Sequence, residues 1–408
     1  MHTGVKRLSF AAFAVSVAGS ALAEMVMPSE PKEVPALMVT EAGEKVADVK
    51  TWEQVRRGEL LKTFLREEYG VRPVERPSDL RFSEIAPVEE CFGETAIRKR
   101  IKASYSGPGG SAEFAFSVWI PKSRHPVAVF VHSSPRPAET AADINAPRPV
   151  YWLPAEEIVK RGYAVVAYCN QEVALDWHLA TVASNGVFKA YGPVDLKRRK
   201  ADEWGILSAW AWGMSRIVDW IETEPLLDSG RIAAVGLSRN GKTALVAGAT
   251  DERFGLVISC CSGCSGAKLN HMANEGSERI RDISIAASWF APAYMKYVGK
   301  DRSKEMKFDQ HQLLALVAPR LLYISSASED AWAGPRGEFA AADLASEAWR
   351  LYGKAGLVHR GFPRPDYPLH AGNVGYHVRS GQHDITRQDW HLYMDFADGH
   401  GWNLPRGR

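Results

Sequence analysis

Five apolar runs constrain the fold of this chain more than any other feature. "HPVAVFVHSS", "AVVAY", "RIAAVGL", "GLVISCC" and "RLLYISSA" are short, nearly continuous and rich in β-branched residues, as strands are when both faces are buried. Helical patterns stand between and after them: "EEIVKRG", "EWGILSAWAWGMSRIVDWIET", "KTALVAGA", "EFAAADLASEAWRLYG" and the closing "TRQDWHLYMDFADG". Strands alternating with helices predict a mostly parallel central sheet with helices on both faces, a three-layer α/β sandwich. The 408 residues, 46% of them hydrophobic, suffice for one such core, and no Pro-, Gly- or Ser-rich linker divides them.

Outside that pattern, "AEFAFSVWIP" reads as a further strand and "NVGYHVR" as a short one. "TWEQVRRGELLKTFLREEYG" reads as an amphipathic helix with Val55, Leu60 and Phe64 inward and Gly70 as its stop. The stretch from Asn170 to Ala201 is polar and turn-rich, a long loop and therefore a candidate for function. At the start, Lys6 and Arg7 precede an apolar run from Leu8 to Val17 and a small-residue "ALA" at Ala21–Ala23. That layout predicts a signal peptide over residues 1–23, export with cleavage after Ala23, and one domain with an N-terminal extension over 24–408. A formal net charge of +2 gives no reason to expect nucleic acid as a partner. No later run is long enough to span a bilayer, so no membrane is expected as a partner; a monomer is expected, and the leader places it in the periplasm or outside the cell. The cysteines are Cys91, Cys169, Cys260, Cys261 and Cys264. Their odd number and clustering argue against a disulfide framework, and no second Cys or His pair completes a zinc site, so buried thiols are expected.

"GLSRNGKTAL" follows the run "RIAAV", which places Ser238 on a turn from a buried strand into a small-residue helix. In α/β-hydrolases such a turn lifts a serine hydroxyl above the C-terminal rim of the sheet. The match to G-x-S-x-G is imperfect: Gly236 is in place, but Asn240 stands two residues beyond the serine and Gly241 one later. Downstream come a carboxylate pair after a strand, Glu329 and Asp330 in "YISSASED", and a histidine after the last strand, His383 in "YHVRSGQHD". Nucleophile, acid, base is the chain order this fold requires. Serine needs a base to take its proton, and the base needs a carboxylate to orient it. Arg239 and Lys242 share a face at the start of the helix. Two cations beside the positive end of its dipole are unfavourable unless negative charge comes there, as an oxyanion or a product carboxylate would.

These residues resemble the serine motif of the glucuronoyl esterases, carbohydrate esterase family 15, in which serine is followed by arginine and, four residues on, lysine. The resemblance extends to "VRRGELLKTFLREEYGVRP", "DERFGLVIS", "SASEDAWAGPRGEF" and "GYHVRSGQHDITRQDW", most of the chain after residue 23. It implies the α/β-hydrolase fold, Ser238 as nucleophile, His383 as base, Arg239 at the oxyanion, and Lys242 and Trp332 at the sugar, with Glu275 as a further substrate contact. His377, in "YHVR", is the rival base and is read as a core residue. Many family members carry a glutamate where this chain has Cys261, and a thiol with a pKa near 8.5 is no permanent anion; Asp330 is then the expected acid and Glu329 the fallback. Gly334 is a second departure, standing where an aspartate is common. The implied reaction hydrolyses esters of glucuronic or 4-O-methylglucuronic acid in glucuronoxylan–lignin linkages, with no metal or organic cofactor. The alternatives are an acetyl-xylan or general carboxylesterase and a non-catalytic carbohydrate-binding relative.

Overall fold

The apolar runs lie side by side. The computed structural model describes residues 34–142, 153–176, 185–192, 199–272, 276–299 and 302–405; the leader expected over residues 1–23 falls outside them. The strands are β1 (Arg81–Glu84), β2 (Glu89–Cys91), β3 (Ala96–Gly107), β4 (Gly110–Pro121), β5 (Val127–Ser134), β6 (Ala164–Cys169), β7 (Leu227–Leu237), β8 (Phe254–Cys260), β9 (Leu321–Ala327) and β10 (Val374–Arg379). They form one sheet in the order β1-β3-β4-β6-β5-β7-β8-β9-β10, with β2 beside β3. Across β6-β5-β7-β8-β9-β10 every neighbour is parallel, whereas β1 to β4 pair antiparallel and β4 meets β6 antiparallel. This is the α/β-hydrolase arrangement expected from the sequence.

Period-two alternation sends each central strand into two cores. On β5, Val129 and Val131 face one core and Ala128 and Phe130 the other. The first core packs under helices α1 (Arg57–Phe64), α2 (Ile206–Ile221), α3 (Arg239–Thr250) and α4 (Pro335–Ala345), the second under α5 (Arg387–Gly399). Every residue of α2 is buried. Its two charged side chains, Arg216 and Asp219, pair at 2.7 Å, which offsets the cost of taking each from water. Among the described residues no helix is long and apolar enough to cross a membrane.

Three local features depart from the sequence reading. The partner of β4, strand β3, was not expected; its inward Ile101, Ala103 and Tyr105 are interleaved with a run of Arg and Lys that obscures the alternation. Val55 is exposed, while Trp52 and Arg56 are buried. The cause is a π turn over Trp52–Arg56, where the Arg57 N–H reaches back to the Trp52 carbonyl. That turn widens the repeat, so positions 52, 56, 60 and 64 share the inner face. The stretch 170–201 includes a helix, Gly186–Tyr191, too short for a periodic signal.

Candidate active site

The site is built at the C-terminal rim of the parallel strands. Chain leaves β7 at Leu237 and Ser238 takes φ 61° and ψ −126° before α3 begins at Arg239. Such left-handed backbone is costly for a residue with a Cβ and is held only by its surroundings. Here the Ser238 N–H donates to the Cys260 carbonyl at 2.8 Å, and its own carbonyl accepts from Lys242 N–H at 3.1 Å. The turn is so tight that a Cβ on Gly236 would sit 2.1 Å from the Asn240 carbonyl oxygen, which explains the first glycine of the motif. Asn240 is accommodated two beyond the serine because its side chain turns inward. Its Oδ1 accepts from Ser133 Oγ at 2.6 Å and Asn170 Nδ2 at 2.7 Å.

Asp330 arrives on the loop after β9 and His383 on the loop after β10. His383 Nδ1 and Asp330 Oδ2 lie 2.6 Å apart, with the imidazole 39% exposed and the carboxylate 4%. Burial works to raise the Asp330 pKa, but the hydrogen bond and charge of His383, the Ala333 N–H and the Cys261 thiol outweigh it and hold the carboxyl below its ordinary value. Glu329 points to solvent. His377 is fully buried in β10 between Tyr323 Oη (2.9 Å) and Asp389 Oδ1 (2.8 Å), a satisfied core residue. Cys261, at the end of β8, brings its sulfur within 4.8 Å of the ligand atoms of both Asp330 and His383. Its hydrogen bond with Cys260 and its burial push its thiol well above the usual range, so it stands neutral beside Asp330. All five cysteines are free, and four of them are buried.

Ser238 and His383 line one cavity of about 190 Å³, together with Arg239, Lys242, Trp289 and Trp332. The two cations that sequence reading left waiting for an external anion already have partners. Lys242 Nζ donates to the carbonyls of Ser262 (2.5 Å) and Cys264 (2.6 Å) and lies 3.4 Å from Glu278 Oε2. Arg239 Nη1 donates to Asp176 Oδ2, and its guanidinium lies over the Trp289 ring, 4.9 Å from the centroid. Trp332 is 52% exposed. Glu275 falls outside the described residues; the carboxylates that line the cavity are Glu278 and Asp282, of which Glu278 meets Lys242. Sequence reading missed Glu278, Asp176 and Trp289. A signal existed only for Asp176, through its place in the suspect polar stretch. Gly334, the second departure, has φ 69° at the start of α4, and a Cβ there would meet Lys268 Cδ at 2.7 Å; glycine fits both constraints.

A serine raised on a strand–helix elbow, facing a cavity shared with a carboxylate-bound imidazole, makes this an ester hydrolase of the α/β-hydrolase class. Residues 106–353 match the family described as "Glucuronyl esterase, fungi". A carbohydrate esterase from an unknown prokaryotic organism is 34% identical over 90% of this chain and 89% of its own. The structure of a glucuronoyl esterase from Solibacter usitatus superimposes with a TM-score of 0.82 at 30% identity, covering 93% of this chain and 100% of that one. A 4-O-methyl-glucuronoyl methylesterase from Hypocrea jecorina is 30% identical over 47% of this chain, and the match spans 41% of the fungal protein. The chain belongs to carbohydrate esterase family 15, the glucuronoyl esterases.

Proposed function

We propose that the protein hydrolyses esters whose acyl part is glucuronic or 4-O-methylglucuronic acid, the linkage between glucuronoxylan and lignin alcohols, with Ser238, His383 and Asp330 as its catalytic residues. The observation that carries this reading is the 2.6 Å bond from His383 to Asp330 in the cavity that also holds Ser238. Ser238 Oγ attacks the uronate ester carbonyl while His383 takes its proton. Asp330 fixes the tautomer and stabilises the imidazolium. The oxyanion is met by the Arg239 N–H, which as the first of α3 has no acceptor within the helix, and by the Arg239 guanidinium. Donors fixed where charge develops favour the transition state over the neutral ester. Collapse expels the alcohol with the proton from His383. Water, deprotonated by His383, then attacks the acyl-enzyme and frees the uronic acid, which ionises.

Lys242, buried, and Glu278, partly exposed, supply a donor–acceptor pair for sugar hydroxyls, and the exposed face of Trp332 suits stacking on the ring. On the resemblance alone, Glu275 is a further contact of the same kind. We place the protein outside the cytoplasm, as a monomer of one esterase domain over 24–408 after loss of residues 1–23. The support is the leader pattern of Lys6, Arg7 and Ala21–Ala23 and the single continuous sheet of the described residues.

The test compares hydrolysis of methyl and benzyl glucuronate, their galacturonate epimers and acetylated xylan. Uronate esters should be preferred, and Ser238→Ala should reduce turnover by at least about 10³-fold. Faster release of acetate than of uronate would make the protein a general carboxylesterase, and sugar binding without turnover a non-catalytic relative.

A further inference from the structure

The proposed chemistry uses Arg239 but not what holds it. Asp176, on the segment after β6, accepts from Arg239 Nη1 through Oδ2 and from Trp289 Nε1 through Oδ1, the latter at 2.7 Å. Trp289 in turn lies under the guanidinium. The Asp176 side chain is 6% exposed and Trp289 is buried. Three segments distant in sequence therefore close a triangle on one wall of the cavity. Arg239 and Trp289 face the cavity, and Asp176 supports both.

We infer that Asp176 is a positioning residue that aims the Arg239 guanidinium and cancels most of its charge toward the product. The inference rests on the reading of the site given above. The substrate ester is neutral, the oxyanion is transient, and the product is a permanent carboxylate formed beside the same guanidinium. An uncommitted arginine binds a carboxylate through two parallel charge-assisted bonds and would retain the product. An arginine already paired with Asp176 still offers directed N–H groups to the oxyanion but presents a pair with no net charge to the leaving anion. Asp176 thus separates stabilisation of the transition state from capture of the product.

Asp176→Asn preserves shape and removes the charge. In the full-length protein it should lower the dissociation constant of free glucuronate at least tenfold, with uncharged methyl glucoside, which shares the ring hydroxyls, unchanged. The tighter binding should weaken with added salt, and progress curves on methyl glucuronate should flatten early. In an Arg239→Ala background the same substitution should leave glucuronate affinity unchanged. Should Asp176→Asn not fold, Trp289→Phe keeps the ring over Arg239 and removes the donor that orients Asp176, and a shift of glucuronate affinity in the same direction is expected. Affinity is read by calorimetry, which needs no turnover. Unchanged or weaker glucuronate binding in a folded variant overturns the inference even if the wild type is an active uronate esterase. A wild type inactive on uronate esters defeats the earlier reading instead.

Discussion

Of the two neighbouring carboxylates in "SED", only one reaches the imidazole. Asp330 bonds His383 Nδ1 and Glu329 faces solvent, so their amides should behave differently. Asp330→Asn should lower kcat by about 10²–10⁴ through loss of the tautomer and of the charge opposing imidazolium, while Glu329→Gln should stay within about twofold. Steady-state kinetics on methyl glucuronate decide this, and an unimpaired Asp330→Asn enzyme would exclude Asp330 as the proposed acid. The same residue also links to pH. Its carboxyl is held below the ordinary value, so its contribution to stability is complete above the unfolded pKa of about 3.9 and fades as pH falls through the lower folded value.

At the scale of the element, the turn from β7 into α3 leaves no room for change. A methyl group on Gly236 would lie 2.1 Å from backbone oxygen of Asn240, and backbone cannot rotate away as a side-chain tip can. Gly236→Ala should cost about 1–3 kcal/mol or more and lower kcat further by displacing Ser238. Gly58, exposed in α1 with open space around its Cβ position, is the contrast. Gly58→Ala should stabilise by about 0.5–1 kcal/mol, read as a higher urea midpoint with unchanged kcat. The sequence was legible where one element alone dictates the pattern. β5 through β9 show as continuous apolar runs because both of their faces are buried, and Ser238, Asp330 and His383 follow from chain order at three strand ends. It was illegible where partners come from afar. Arg239 and Lys242 looked like cations awaiting an anion because Asp176 and Glu278 meet them only in the fold. The register of the first helix was misjudged because a π turn has no composition of its own.

For the molecule as a whole, burial of carboxylates shapes the response to pH. Glu338 lies inside α4, fully buried, with Ser326 Oγ at 2.6 Å and the Gly263 N–H at 2.9 Å. Burial pushes its pKa up to about 7 against those two donors, and burial raises Glu68, held by Gln310, to about 8. Between about pH 4.5 and 7 the folded state keeps a proton on Glu338 that the unfolded state has lost, so stability falls as pH rises. Glu338→Gln should remove that part of the decline. Its melting temperature relative to wild type should climb between pH 5 and 8, and a pH-independent offset would contradict the assignment.

The ends of β8 and β9 converge on His383, one bearing Cys261 and the other Asp330. Both positions lie within 4.8 Å of the imidazole nitrogen, so neither requires it to be placed differently. A side chain at position 261 and one at position 330 therefore address the same imidazole from neighbouring strands. In this chain a sulfhydryl occupies one of the two and the working carboxylate of the proposed site the other.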